Sequence, residues 1–228
     1  MELVTIDIVE KVATITLCNG KVNAISHQVI DELNRALDQA EEAKSVVILT
    51  GQSGILSGGY DLKTMQSSME DAIALVTEGS KLTRRMLSFP YPIIGACPGH
   101  AVAKGAFLLL CCDYRLGVAG SFKLGLNEVA IGITMHFAGI EMARGRMPTN
   151  YFNRSVINAE MYDPDTAVLA GILDKVVSAD QLVHEARLVA EQMKTLNMRA
   201  HHGTKLKARK EMLETLDLAI ETDSKGTL

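Results

Sequence analysis

Gly99-His-Ala-Val-Ala-Lys-Gly-Ala-Phe-Leu-Leu-Leu-Cys-Cys-Asp113-Tyr-Arg115 opens on small residues and passes without a break into the apolar run from Phe107 to Cys112. That profile predicts a loop turning tightly into a buried helix. Glycine and alanine let a backbone come close to a ligand, and the first N–H groups of a helix have no partner within it. Such a helix start favours a negative charge in front of it. Taken alone, the stretch is read more simply as a buried helix with a crowded entry; its neighbours carry the decision.

Upstream, Ile93-Ile-Gly-Ala-Cys97 is an apolar run that predicts a buried strand leading into Gly99. Val46-Val-Ile-Leu49 has the same character, as expected of a strand covered on both faces. Behind it lies Gly51-Gln-Ser-Gly-Ile-Leu-Ser-Gly-Gly-Tyr-Asp61-Leu-Lys, with four glycines, in the place where open α/β sheets put their ligands. Two glycine-rich loops, 57–62 and 99–105, therefore each follow a buried strand. Two such loops can turn a pair of backbone N–H donors toward one carbonyl oxygen, which is what an oxyanion hole requires.

The rest of the chain fits a layered α/β fold. Residues 2–17 alternate polar and apolar across a Glu10-Lys11 turn, predicting two strands. Ser26 caps a helix whose Val29, Ile30, Leu33, Leu37 and Ala40 share one face. A long helix is expected over 63–88, ended by Pro90 and Pro92. Asp163 and Pro164 start a helix that stops at Gly171, a strand follows over 172–177, and Ser178 precedes a helix running toward Met198. One last basic helix is expected over 204–220. No linker or clean repeat interrupts the chain, so 1–228 is read as one domain, with 1–175 as its core and 176–228 as a helical part.

Composition narrows the function classes. The 228 residues are 47% apolar and 22% charged, with a formal net charge of -4. No basic block and no Trp favour a nucleic-acid surface. No apolar segment reaches membrane-spanning length, and Met1-Glu-Leu-Val-Thr-Ile-Asp lacks the basic and apolar regions of a signal peptide. Cys18, Cys97, Cys111 and Cys112 lack metal-ligand spacing and read as small buried side chains in a reducing compartment. The expectation is a cytoplasmic protein with no metal, nucleic-acid or membrane partner.

Four motifs in register carry a resemblance. Asn23-Ala-Ile, Leu56-Ser-Gly-Gly-Tyr-Asp-Leu-Lys63, Gly99-His-Ala-x-Ala-x-Gly with Cys112-Asp-Tyr-Arg, and Phe122-Lys-Leu-Gly-Leu-Asn-Glu128-Val-Ala-Ile-Gly132 resemble the crotonase superfamily of enoyl-CoA hydratases and isomerases. The resemblance implies an α/β fold, a spiral of ββα units with C-terminal helices, assembled as a homotrimer or a pair of trimers. It implies an acyl-CoA substrate, coenzyme A entering only as part of it, and an enolate held at the thioester oxygen. It implies backbone donors at Tyr60 and Lys104, and a substrate pocket lined by Val22, Asn23, Ala24, Gly58, Asp61, Leu62, Ala103, Gly105, Phe107 and Asn127. Lys104 stands where the family usually has glycine, and its side chain is expected to point into solvent. Asp61 is read as structural support for its loop. Basic residues of the last helix, Lys205, Lys207, Arg209 and Lys210, can on the same grounds meet CoA phosphates.

The acids separate the chemistries. The resemblance implies two glutamates for hydration, one at Glu128 and one at the position that is Phe107 here. Phenylalanine neither gives a proton nor orients water. One glutamate at the Glu128 position is the pattern of the Δ3,Δ2-enoyl-CoA isomerases, in which a single carboxylate moves a proton from C2 to C4. Isomerisation is therefore favoured. Hydration by another route, thioester hydrolysis, decarboxylation, or a non-catalytic CoA-binding role are the alternatives. His136, His100, His201 and His202 are read as structural or surface residues.

Overall fold

The computed structural model describes residues 2–226. Strands β1 (Val4–Val9) and β2 (Val12–Leu17) pair antiparallel through a turn in which Glu10 and Lys11 take φ of 51° and 62°. Helix α1 (His27–Glu42) follows, its Ser26 Oγ accepting from the Val29 N–H at 3.3 Å. Next come β3 (Val46–Thr50) and β4 (Gly54–Ser57), then α2 (Leu62–Ser67) and α3 (Met69–Leu87). Strands β5 (Ile93–Cys97) and β6 (Gly99–Val102) lead into α4 (Lys104–Cys111), and β7 (Tyr114–Val118) and β8 (Leu124–Gly125) into a 3-10 turn at Val129–Ile131. Helices α5 (Phe137–Arg146) and α6 (Thr149–Val156), strand β9 (Met161–Tyr162), helix α7 (Pro164–Leu169) and strand β10 (Lys175–Val177) follow. Helices α8 (Leu182–Lys194), α9 (Met198–Ala208) and α10 (Lys210–Ser224) complete the order.

Three successive strand pairs, β3–β4, β5–β6 and β7–β8, each put their first strand into a six-stranded sheet ordered β1-β2-β3-β5-β7-β10. Each puts its second strand into a four-stranded sheet ordered β4-β6-β8-β9. A helical segment follows each pair, so the chain winds as a spiral of ββα units, the expected fold. β5 and α4 are buried along their whole length, which accounts for the apolar runs 93–97 and 107–111, with Lys104 at the start of α4 as the exception.

Several boundaries differ from the sequence reading. Residues 99–102 form a strand rather than a loop, because β6 lies parallel to β4. A Cβ at Gly99 would come within 1.9 Å of Gly54 O, so only glycine admits that approach. The helix expected over 63–88 is broken at Ser68, whose extended backbone (φ -159°, ψ 162°) ends α2 while its Oγ accepts from the Asp71 N–H. Only Lys175–Val177 of 172–177 is strand, where it pairs with β7. The final helix is two, divided at Arg209. Lys205 and Arg209 turn inward: their side chains hold opposite oxygens of Asp113 at 2.6 and 2.9 Å. Lys207 and Lys210 remain exposed.

One tertiary contact closes the region that matters below. No side chain next to α5 caps its N-terminus. Asp223, in the last turn of α10 and 1% exposed, instead accepts from the Phe137 N–H at 2.9 Å and the Ala138 N–H at 2.8 Å. Asp223→Ala strips a buried and a half-buried N–H group of their acceptor and is expected to cost about 1–3 kcal/mol. Urea unfolding checks this as a lower midpoint at unchanged slope.

Candidate active site

The two glycine loops meet. At the first, Ile25 N–H donates to Gly59 O (2.8 Å) and Asp61 N–H to Ile25 O (3.0 Å), a parallel bridge that straddles Tyr60. Such a bridge uses the flanking residues and leaves the Tyr60 N–H out of it, while Gly59 lies against the second loop. There Lys104 and Gly105 are the first two residues of α4, whose N–H groups have no acceptor in the helix. The residue before them, Ala103, takes φ 50° and ψ -119°, strained for a side chain with a Cβ. A Cβ at Gly59 would lie 3.1 Å from Ala103 Cβ and 3.8 Å from Lys104 N; one at Gly105 would lie 2.3 Å from Ser57 O. Glycines thus let the 57–60 loop and the start of α4 approach more closely than any larger side chain would permit.

Behind the pair is a scaffold of satisfied polar groups. Asn23, 1% exposed and at φ 51°, donates to Leu17 O and Leu56 O and accepts from the Asn19 N–H. Ser57 Oγ donates to Asn23 O at 2.7 Å and accepts from the Gly59 N–H, and the Gly58 N–H donates to Val22 O. Asp61 caps α2 through the Thr64 N–H and hydroxyl, the supporting role expected of it. Val22 and Leu62 are exposed apolar side chains at the rim, and Ala24 is half-buried.

Glu128 sits immediately before the 3-10 turn, only 9% exposed. Its Oε2 is buried without a hydrogen-bond partner, and so is the neighbouring Asn127 Oδ1. Burial pushes the Glu128 carboxyl up to about 7. Of the apolar residues near it in sequence, Leu124 and Leu126 are buried, whereas Val129 and Ile131 are exposed. The only other carboxylate among the buried described residues, Asp223, has both oxygens occupied by helix N–H groups. Burial chiefly, and the Glu128 charge next, raise the Tyr60 phenol well above its ordinary range. Phe107 is 2% exposed and packs edge-on to His136 at 5.8 Å between ring centroids.

Lys104 departs from expectation. Its side chain runs inward, 2% exposed, rather than into solvent. The ammonium donates to Gly79 O on α3 and lies 5.5 Å from the Tyr60 ring centroid. Burial pulls it down to about 7, and pulls His136 down to about 3 with help from Lys104. With Phe107 below it and α3 beside it, the stem fills space that a solvent-facing lysine would leave open. Neither Lys104's direction nor the Asp223 cap has a local signal. His100, for its part, accepts from the Lys123 N–H at 3.0 Å, a structural role. Among the described residues no group of His, Cys, Asp or Glu could hold a metal ion, and no helix is long and apolar enough to cross a membrane. A cavity of about 580 Å³ lies at the far end of α4 between α8 and α9, near the Asp113 ion pairs.

Comparison with known proteins returns one family description, Enoyl-CoA hydratase/isomerase, matched over residues 7–225. A crystal structure of an enoyl-CoA hydratase/isomerase family protein from Pseudomonas syringae is 64% identical, superposes with a TM-score of 0.98, and shares 99% of this chain and 98% of its own. A probable enoyl-CoA hydratase of Bacillus subtilis is 36% identical over 145 residues, which are 62% of this chain and 56% of that protein. The mitochondrial enoyl-CoA delta isomerase 1 of Mus musculus is 30% identical over 93% of this chain and 75% of its own length.

Proposed function

Because the chain belongs to the enoyl-CoA hydratase/isomerase family, we propose that it is a Δ3,Δ2-enoyl-CoA isomerase in which Glu128 is the single proton shuttle. The observation that carries this is a desolvated carboxylate not spent on structure: Glu128 has a buried, unpartnered oxygen, whereas Asp223 is occupied by helix N–H groups and Phe107 supplies no second acid. The thioester oxygen of a 3-enoyl-CoA accepts from the Tyr60 and Lys104 amides. Glu128 removes a C2 proton, the electron pair passes into the thioester, and negative charge grows on the oxygen that the amides and the start of α4 face. The protonated Glu128 then returns the proton at C4, and the double bond comes to rest between C2 and C3. A carboxyl titrating near 7 suits both halves, since it gives up its proton almost as readily as it takes one. Apolar Phe107 beside the reacting carbons disfavours addition of water.

One observation supports a second reading, addition of water to a 2-enoyl thioester. Asn127 Oδ1 and Glu128 Oε2 are both buried acceptors with no donor, and a carboxylate free to take a proton from water is what that route needs. Matched 3-enoyl- and 2-enoyl-CoA thioesters separate the two. Isomerisation predicts conversion of the 3-enoyl substrate and exchange of one C2 proton in deuterium oxide. Conversion of only the 2-enoyl thioester, to the 3-hydroxyacyl product, would establish hydration instead.

A further inference from the structure

The side chains of the two donor residues end on the same turn of α3. Tyr60 Oη lies 3.5 Å from Val76 O, and its ring occupies the space beside Gly79, where a Cβ would come within 2.2 Å of Oη. From the other loop, Lys104 Nζ donates to Gly79 O and sits over the face of that same ring. Each side chain belongs to a residue whose own amide is a donor in the proposed reaction. The distance between the amides is therefore set twice, once by the glycines and once by what the side chains grip. A lysine at this place is otherwise hard to account for. A buried ammonium without a carboxylate partner is costly, and among the described residues Lys104 has no acidic partner within ion-pair distance. Methionine or leucine would fill the same space without that cost.

We propose that Lys104 is a positioning residue, which by anchoring the start of α4 to Gly79 and stacking on Tyr60 holds the two oxyanion donors at their working separation. This rests on the enolate reading of the site and adds to it a side-chain tether from the first helical residue. The tether acts in the direction that matters: the Lys104 N–H and Nζ belong to one residue, so a pull on the ammonium fixes the helix start. Contact with the Tyr60 ring then transmits that register to the other loop.

The test is Lys104→Met, which keeps the stem and removes the ammonium, with Tyr60→Leu approaching the same contact from the other loop. The readout is the infrared carbonyl band of a bound 2-enoyl-CoA labelled with carbon-13 at the thioester carbonyl, beside kcat and KM for the 3-enoyl substrate. Hydrogen bonds from an oxyanion hole lower that band. In the native protein a shift to lower frequency is expected. In Lys104→Met at least half of it is expected to disappear, kcat to fall about tenfold or more, and KM to stay within about threefold. Thermal unfolding is expected at an equal or higher temperature, because a buried charge is gone. Loss of catalysis without loss of stability is what a merely structural lysine would not give. If Lys104→Met fails to fold, Tyr60→Leu reads the same shift alone. A native shift retained in full by the variants that fold overturns the inference and leaves the enolate reading standing. A native protein that leaves the band at its free position overturns both.

Discussion

Glu128→Gln is expected to lower turnover of a 3-enoyl-CoA by about a thousandfold or more while acyl-CoA binding persists. Positioned proton transfer contributes about 10²- to 10⁴-fold, and in the proposed isomerisation one residue performs both the removal and the return, so a single substitution would remove both. Glutamine keeps the shape and cannot titrate. Steady-state kinetics and equilibrium binding of a product thioester, run side by side, check it; a rate within tenfold of native excludes Glu128 as the base. The same residue sets the pH dependence. The base works ionised, and burial holds its proton up to about 7, so kcat/KM rises as pH is raised through about 7 and levels above it. Stability runs the other way. An unfolded glutamate ionises near 4.5, so between that value and about 7 the native state retains a proton that the unfolded chain has released. Each step up in pH through that window therefore weakens the fold. Glu128→Gln removes the penalty: it should unfold at a higher temperature than native at pH 8, with the gap closing toward pH 4.

Gly105→Ala is expected to lower kcat by about a hundredfold. Its Cβ would fall 2.3 Å from Ser57 O and 3.0 Å from the Ser57 carbonyl carbon, both backbone atoms that cannot swing aside. The first turn of α4 and the 57–60 loop must part, and with them the two donors. Removal of one such donor costs about 10²- to 10³-fold in kcat. Gly203→Ala is the matched control, since that glycine lies in α9 with nothing within 4 Å of its would-be Cβ. It should keep native turnover and gain up to about 1 kcal/mol of stability. Equal losses of rate in the two variants would sink the close-approach account of Gly105.

What the sequence made legible is what local chemistry encodes. Alternation in β1 and β2, the Ser26 and Asp163 caps, and the apolar runs of β3, β5 and α4 all read correctly because each signal lies within the element it defines. Residues 99–102 read as a loop because glycine is poor strand material. It is a strand there only because β4, more than forty residues earlier in the chain, comes within reach of it. The break at Ser68 was hidden by helical composition on both sides. The candidate donors and Glu128 were found through motif order, whereas the inward course of Lys104 depends on a carbonyl of α3, which no spacing in α4 reports. Asp223 is harder still, since its partners lie 86 and 85 residues away.

That last distance bears on how the molecule is made. A ribosome delivers Phe137 and Ala138 long before Asp223, and for that interval the start of α5 carries two amides whose eventual acceptor does not yet exist. The ββα spiral can wind as it emerges, because its strands pair with neighbours already synthesised. The wall formed by α5, with His136 and the face packed on Phe107, settles only when α10 arrives. A nascent chain stalled before Asp223 would thus hold Glu128 in a room with one wall unfastened.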